Sequence, residues 1–117
     1  DRLNALVLAG QKQATAGVAD EYVEQDEVRE HPGERLALLD SAGAKCGVVE
    51  VTALQEHRFD DVPWEFARAE GEGDTSIEQW RQGHRRYWLE VEGRTITPDT
   101  PIVCIYFRLV DPAAPTP

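Results

Sequence analysis

The stretch LVLAGQKQATAG, residues 6–17, decides how the fold begins, because it joins the end of a helix to a strand. Apolar residues recur at helical spacing up to Val7, which predicts a helix over residues 1–9. Gly10 stands where the C-terminal cap of that helix is expected, since glycine adopts the left-handed conformation without strain. The small residues of ATAGVA, 14–19, indicate a strand whose backbone approaches another group closely.

Downstream of this stretch, strand and helix patterns follow one another without a regular strand–helix–strand repeat. Two apolar runs on either side of the turn SAGAK predict a hairpin, and Thr75 followed by Glu78 is a capping-box signature. The order favours the α+β class, with a curved sheet that is mixed or antiparallel. The predicted elements are a solvated loop or short helix over 20–34, strands over 35–40 and 46–59, a helix from Asp61 and Pro63 to about Arg68, an acidic loop over 69–74, a helix from Thr75 to about Trp88 and a strand over 101–110.

The last predicted strand, PIVCIYFRLV, has an alternating pattern. Because successive side chains of a strand point to opposite faces, this pattern predicts one apolar face. The predicted apolar set is Val103, Ile105, Phe107 and Leu109, and the set on the other face is Cys104, Tyr106 and Arg108.

Length and charge limit the function. The chain has 117 residues, which suits one domain with a modest core. Its net charge of −10 opposes every phosphate contact, which argues against duplex DNA or long nucleic acid as a steady partner and leaves a small, weakly charged ligand open. No apolar run approaches the ~20 residues of a membrane span and no signal peptide is visible, so we expect a cytoplasmic protein with no membrane partner.

The sequence also argues against a metal or a cofactor. The three histidines, His31, His57 and His84, are scattered and lack the spacing of metal ligands. The two cysteines form no CxxC pair, and the chain has neither a glycine-rich phosphate loop nor a serine-centred elbow. We therefore expect no metal and no cofactor.

The first candidates for chemistry are Lys12 and Thr15. A threonine hydroxyl is a poor nucleophile unless a neighbouring base takes its proton, and a desolvated, neutral lysine can be that base. The alternative is an exposed loop lysine beside an ordinary strand threonine.

The acidic loop AEGEGD supplies the second set of candidates. A carboxylate held over a pocket can donate a proton to a leaving group or pair with a lysine. With Asp74 or Thr75 expected to cap the next helix, Glu70 and Glu72 are the two free candidates. The alternative is that all these carboxylates are simply hydrated.

The third set lies on the predicted helix from Thr75. Ile77, Trp80, His84 and Tyr87 share one face, which is either part of the core or a platform for a ligand. The stretch RQGHRR, residues 81–86, contains Arg81, Arg85 and Arg86. These arginines either bind phosphate or interact electrostatically with the acidic loop.

Taken together, these stretches resemble a known family. LVLAGQKQATAG resembles the GxKxxT motif that opens the ASCH domain (activating signal cointegrator homology), and residues 48–88 and 97–110 resemble the same family in its bacterial stand-alone branch. The resemblance implies a small PUA-like mixed β-barrel with flanking helices around a cleft, as a single domain over residues 1–111. We expect a truncated N-terminus and a disordered tail over 112–117.

The resemblance also implies a site. The family binds RNA or nucleosides, some bacterial members hydrolyse the amide of N4-acetylcytidine, and others are ribonucleases. Where the family usually has an arginine two residues after its threonine, this chain has Gly17. The implied catalytic set is Lys12, Thr15 and Glu72, with Glu70 as the fallback for the glutamate, and the ligand-binding candidates are Glu70, Trp80, Arg81, His84, Arg85, Tyr87 and Tyr106.

Three functions remain open at this point. One is an amidohydrolase of acylated nucleosides such as N4-acetylcytidine. Another is a module that binds a nucleoside or short RNA without chemistry, with a ribonuclease as its variant. The third is an interaction domain whose cleft is vestigial.

Overall fold

The computed structural model describes residues 2–110, so the predicted tail and the residue that opens the chain lie outside the described range. Within residues 2–110, the chain forms four helices and four strands, which confirms the α+β class. The elements are α1 Arg2–Leu8, β1 Ala14–Val18, α2 Ala19–Glu24, β2 Arg35–Leu39, β3 Lys45–Arg58, a 3₁₀ turn Phe59–Asp61, α3 Trp64–Glu70, α4 Ile77–Glu92 and β4 Pro101–Val110.

The strands form one curled antiparallel half-barrel. Their order is β1–β4–β3–β2, and each neighbouring pair is antiparallel, so the antiparallel alternative holds and the mixed one does not. The 14-residue strand β3 pairs with both β2 and β4, and its register with β4 shifts between Val51 and Ala53. Such an irregularity bends a strand and increases its twist, which lets the sheet curl.

The prediction of one apolar face for β4 is wrong, because β4 is buried on both faces. Ile102 and Cys104 pack with Phe59 and Trp80, whereas Val103 and Ile105 pack in a second cluster, against α2. As a central strand of the sheet, β4 has helices on either side, so a continuous apolar run suits it better than alternation.

The predicted C-terminal cap of the first helix at Gly10 is confirmed. Gly10 has a φ of +76°, and its N–H donates to the carbonyl of Val7 at 2.9 Å. The chain then turns into β1, and β1 runs directly into α2, so the short-helix alternative holds for the start of the acidic stretch. α1 therefore ends close to the first residue of the sheet.

The predicted cap of α4 is displaced by one residue. Ser76 caps the helix by accepting a hydrogen bond from the N–H of Gln79, and the Gln79 side chain accepts from the N–H and hydroxyl of Thr75. The helix also runs four residues beyond the predicted end at Trp88, to Glu92, where Gly93 ends it in the left-handed conformation. None of the helices within residues 2–110 is both long and apolar enough to cross a membrane.

Candidate functional site

The loop between α1 and β1 lies tightly against the end of α3. Gln13 N–H donates to the carbonyl of Ala69 at 2.7 Å, and Gln11 Nε2 donates to the carbonyl of Gly71 at 2.8 Å. Gly71 has a φ of +65°, and a Cβ there would lie 2.1 Å from the Gln11 carbonyl oxygen. Only glycine fits this approach, so Gly71 sets the distance between the two segments and the position of Lys12.

Lys12 is buried, and its ammonium lies between two carboxylates. Lys12 Nζ is 3.2 Å from Glu70 Oε2 and 2.7 Å from Glu72 Oε2, and the side chain is 5% exposed. A buried ammonium is costly unless it is paired, and two partners are present here. Lys12 therefore stands in the site as a cation held from two sides.

Glu70 does not lie in the acidic loop, as the glycine spacing predicted, but is the last residue of α3. Its side chain is 3% exposed, and its Oε1 accepts a hydrogen bond from Trp80 Nε1 at 2.6 Å and lies 3.2 Å from His84 Nε2. Burial acts to raise the pKa of Glu70, but the hydrogen bond and charge of His84, with the charge of Lys12, lower it below its ordinary value. Glu70 is thus an anchored carboxylate whose oxygens are occupied by protein donors.

His84 is held from both ring nitrogens. Its Nδ1 lies 2.9 Å from the carbonyl oxygen of Trp80, and its Nε2 faces Glu70. A carbonyl and an ionised carboxylate can only accept, so this geometry favours a ring in which both nitrogens carry a proton. Burial acts to lower the pKa of His84, but its hydrogen bond and charge interaction with Glu70 outweigh burial and raise it.

These groups border a cleft of about 350 Å³ between α1, β1, α4 and the segment after α3. Six of the predicted site residues line it: Lys12, Thr15, Glu70, Glu72, His84 and Tyr87. The sequence did not assign the other lining residues to the site, although Asp74 shares the glycine-broken segment with Glu72. These are Leu3, Ala16, Asp74, Gly83 and Trp88.

The side chain of Thr15 lies on the opposite face of β1 from those of Ala14 and Ala16, although Thr15 also lines the cleft. It lies opposite Ile105 in the register, whereas Ala14 and Ala16 pack in the cluster that includes Trp80. Since side chains alternate along a strand, the Thr15 hydroxyl projects away from the side of Ala14. Within residues 2–110, no hydrogen bond joins Lys12 to Thr15.

Trp80, one of the ligand-binding candidates, is not available to a ligand, so the core alternative holds for this residue. None of its surface is exposed. Its ring stacks with Phe59 at 5.7 Å and with His84 at 4.1 Å between centroids. The aromatic stripe at this point of α4 is core, and Trp80 contacts the site through its hydrogen bond to Glu70.

Three other predicted ligand contacts lie away from the cleft. The guanidinium of Arg81 donates to the carbonyl of Asp60 at 2.7 Å, and that of Arg85 lies 5.1 Å over the ring of Phe59. Tyr106 lines a separate depression beside α3. Arg81 and Arg85 therefore face the 3₁₀ turn, and the basic residues that line the cleft are Lys12 and His84.

The fold agrees with that of known proteins. The family model of the ASCH domain matches residues 1–111. The chain belongs to the ASCH-domain family. No curated protein matches the chain.

Two solved structures show the same PUA-like fold as this ASCH domain. One is protein EF3133 from Enterococcus faecalis V583, with a TM-score of 0.83 and 27% identity over 94% of this chain and 68% of that one. The other is an ASCH domain from Lactobacillus crispatus JV V101, with a TM-score of 0.80 and 24% identity over 92% of this chain and 70% of that one.

Gly17 stands where the resemblance led us to expect an arginine. A Cβ at this position would lie 3.8 Å from Tyr22 Cε2 and 3.9 Å from its hydroxyl, which is ordinary van der Waals distance. The backbone at Gly17 therefore has room for a Cβ, so no close contact at this position requires glycine.

No group of three His, Cys, Asp or Glu side chains in the described part of this ASCH domain is arranged to hold a metal ion. The two cysteines are free, and Cys104 is buried in the core. Burial raises the pKa of the Cys104 thiol to about 12, so it packs as a small apolar group.

Proposed function

We propose that this ASCH domain binds one nucleoside-sized molecule in the Lys12 cleft and hydrolyses the amide of an acylated nucleoside. The observation that carries the proposal is the Lys12–Glu72 pair at 2.7 Å, which opens onto a cleft of about 350 Å³. This volume is at the lower end of the range for small-molecule sites. It suits a nucleoside better than a folded RNA.

The charges of the cleft support an uncharged ligand. Lys12 and His84 face three carboxylates, those of Glu70, Glu72 and Asp74, and the whole chain carries a net charge of −10. A phosphate chain entering this cleft meets both the local carboxylates and the field of the protein. A nucleoside without phosphates avoids that repulsion.

The contacts of Lys12 favour a division of roles other than the one the sequence predicted. An ammonium held by two carboxylates has no lone pair with which to take a proton from Thr15. It can instead stabilise negative charge that develops on the acyl oxygen. Glu72 is 26% exposed, in contrast to the anchored Glu70, so Glu72 is the group that can move a proton.

In the proposed reaction, Thr15 Oγ attacks the acyl carbon while its proton passes to Glu72, and Lys12 stabilises the oxyanion. The C–N bond then breaks, Glu72 returns the proton to the departing amine, and the acyl group remains on Thr15 as an ester. A water molecule that loses its proton to Glu72 then attacks this ester, and Glu72 returns that proton to Thr15 Oγ as the carboxylic acid leaves.

The test is release of cytidine and acetate from N4-acetylcytidine. We expect Lys12→Ala, Glu72→Gln and Thr15→Val each to lower kcat by roughly 10²–10⁴-fold. Lys45→Ala and Glu90→Gln change exposed residues of the same types outside the cleft and should retain the wild-type rate. If the wild type and the cleft variants are equally inert on a panel of acylated nucleosides, the hydrolytic proposal is wrong.

A second candidate is nucleoside binding without chemistry. It is favoured by the placement of Thr15, whose side chain projects to the other face of β1 from Ala14. In that case cytidine raises the melting temperature of the protein, Lys12→Ala removes this effect, and no acetate is released. Binding of short RNAs that weakens with salt would instead support an RNA-binding module.

A further inference from the structure

The cleft runs along the free edge of β1. Thr15 and Ala16 are consecutive and point to opposite faces of the sheet, yet both line the cleft. β1 is the outermost strand of the described sheet. A cavity bordered by two successive residues of an outermost strand must lie along its edge, where backbone groups rather than side chains are presented.

The register shows which backbone groups point outward. Phe107 N–H donates to the carbonyl of Gln13 at 3.0 Å, so this carbonyl points toward β4 as in a hydrogen-bonded pair of the antiparallel ladder, although the N–H of Gln13 bonds to Ala69 instead. Such pairs recur at every second residue. The pairs Thr15–Ile105 and Gly17–Val103 are therefore hydrogen-bonded as well.

This register leaves the backbone N–H and C=O of Ala16 without a partner in β4, because Ala16 lies opposite Cys104 in a non-hydrogen-bonded pair. The other side of β4 agrees with this assignment. Phe59 N–H donates to the carbonyl of Thr100 at 2.8 Å, which by the same alternation directs the backbone of Cys104 toward β3. The N–H and C=O of Ala16 therefore point away from β4.

Ala16 is the accessible member of the outward-facing set. Ala14 and Val18 have the same orientation, but they are 0% and 1% exposed, and neither lines the cleft. The edge thus presents one donor beside one acceptor. A single such pair is too short to add a strand of another protein, but it matches the size of one planar ring with an adjacent acceptor and donor.

We propose that the backbone N–H and C=O of Ala16 recognise the hydrogen-bonding edge of a nucleobase. On cytosine, the N–H of Ala16 donates to the ring nitrogen N3, and the C=O of Ala16 accepts from the amino group at C4. N4-acylation leaves N3 and one N–H in place, so substrate and product present the same pair. This inference rests on the proposed nucleoside-binding function and specifies how the base is read.

The experiment is NMR of the uniformly ¹⁵N-labelled protein, with cytidine and 3-deazacytidine as probes. In the free protein, we expect the Ala16 amide to exchange with solvent much faster than the amides of Thr15 and Gly17, which bond to β4. Cytidine should shift the Ala16 amide downfield. 3-Deazacytidine, which lacks the N3 acceptor, should bind about tenfold more weakly.

The outcomes distinguish a failure of this inference alone from a failure of the proposed function. An Ala16 amide as protected as that of Thr15 in the free protein overturns the geometry, whatever the ligand. Equal affinities for the two nucleosides, with signals of Lys12 and Glu72 shifted, overturn base reading by Ala16 and leave the nucleoside site standing. If neither nucleoside shifts any signal of the cleft, the proposed function and this inference fail together.

Discussion

Two carboxylates of the same segment, Glu70 and Glu72, have opposite environments. Glu70 is 3% exposed and contacts Trp80, His84 and Lys12. Glu72 is 26% exposed, and its carboxylate contacts Lys12 alone among the described residues. Both hold the same ammonium, one from inside the core and one from the cleft.

The difference shows that the contacts of an acidic residue, and not its position along the chain, determine its role. The carboxylate with more donors is stabilised as an anion and is unavailable to a ligand. The carboxylate with one donor keeps free lone pairs that face the cleft. We therefore assign Glu70 to holding Lys12 in place, and we propose Glu72 for proton transfer.

The largest expected effect is a difference in how much stability the protein loses when each of these two carboxylates is replaced. Glu70→Gln removes the charge that compensates a buried ammonium and an imidazolium, and we expect a loss of about 3–5 kcal/mol in the free energy of unfolding. Glu72→Gln should cost about 1 kcal/mol or less, because the pair is partly exposed. Urea denaturation of both variants measures the difference, and equal losses would contradict the distinction.

The next effect concerns the glycines that flank Glu72. Gly71→Ala puts a Cβ 2.1 Å from the Gln11 carbonyl oxygen, and we expect a loss on the order of 2–3 kcal/mol together with a displaced Lys12. Gly73→Ala is the matched control, since Gly73 also has a positive φ but no atom lies within 4 Å of its added Cβ. Its cost should be about 1 kcal/mol from backbone strain alone.

A smaller effect comes from the hydrogen bond that Trp80 donates to Glu70. Trp80→Phe keeps an aromatic ring but leaves one oxygen of Glu70 without its 2.6 Å donor. Trp88→Phe is the control, because Trp88 is buried in the same cluster and is not a donor to Glu70. We expect Trp80→Phe to destabilise by about 2 kcal/mol more than Trp88→Phe, and similar melting temperatures would argue against an anchoring bond.

The smallest effect is a dependence on pH. The pKa of His84 is raised from its ordinary 6.5, so its contribution to stability is complete below about 6.5 and is lost as the pH rises through the folded-state pKa. The pKa of Glu70 is lowered from 4.5, so its contribution is complete above about 4.5 and is lost as the pH falls through its folded-state value. The network should therefore contribute most between these two values.

His84→Gln tests that dependence directly. The midpoint of urea unfolding of the wild type should decrease as the pH rises above 6.5, and the variant should lose that decrease. His57→Gln changes a histidine outside the cleft and should follow the wild type. A variant at position 84 with an unchanged pH profile would mean that the imidazolium does not stabilise the fold.

Most of the fold and part of the site followed from local patterns. The helix stop at Gly10 and the strand that follows it are fixed by neighbouring residues, and they bring Lys12 to the sheet. The face of β4 was mispredicted because its central place in the sheet depends on pairing with β1 and β3, which no single stretch encodes. The motif residues Lys12 and Thr15 line one cleft, as the resemblance led us to expect.

The burial of Glu70 could not be predicted from its own segment. Its partners Trp80 and His84 lie on the next helix, and their indole and imidazole turn a residue beside glycines into part of the core. The edge position of Ala16 was equally hidden, because it depends on the register between β1 and β4 and involves no distinctive side chain.

The most direct test of the account is NMR of the lysine side chains. Lys12 and Lys45 are the only lysines of the chain, so a spectrum of ¹⁵N-labelled lysine ammonium groups holds two signals. We predict that the Lys12 signal is protected from exchange with water and moves when cytidine is added, while the Lys45 signal does neither. A Lys12 ammonium that exchanges as fast as that of Lys45 and ignores the nucleoside would contradict both the buried pairing and the proposed site.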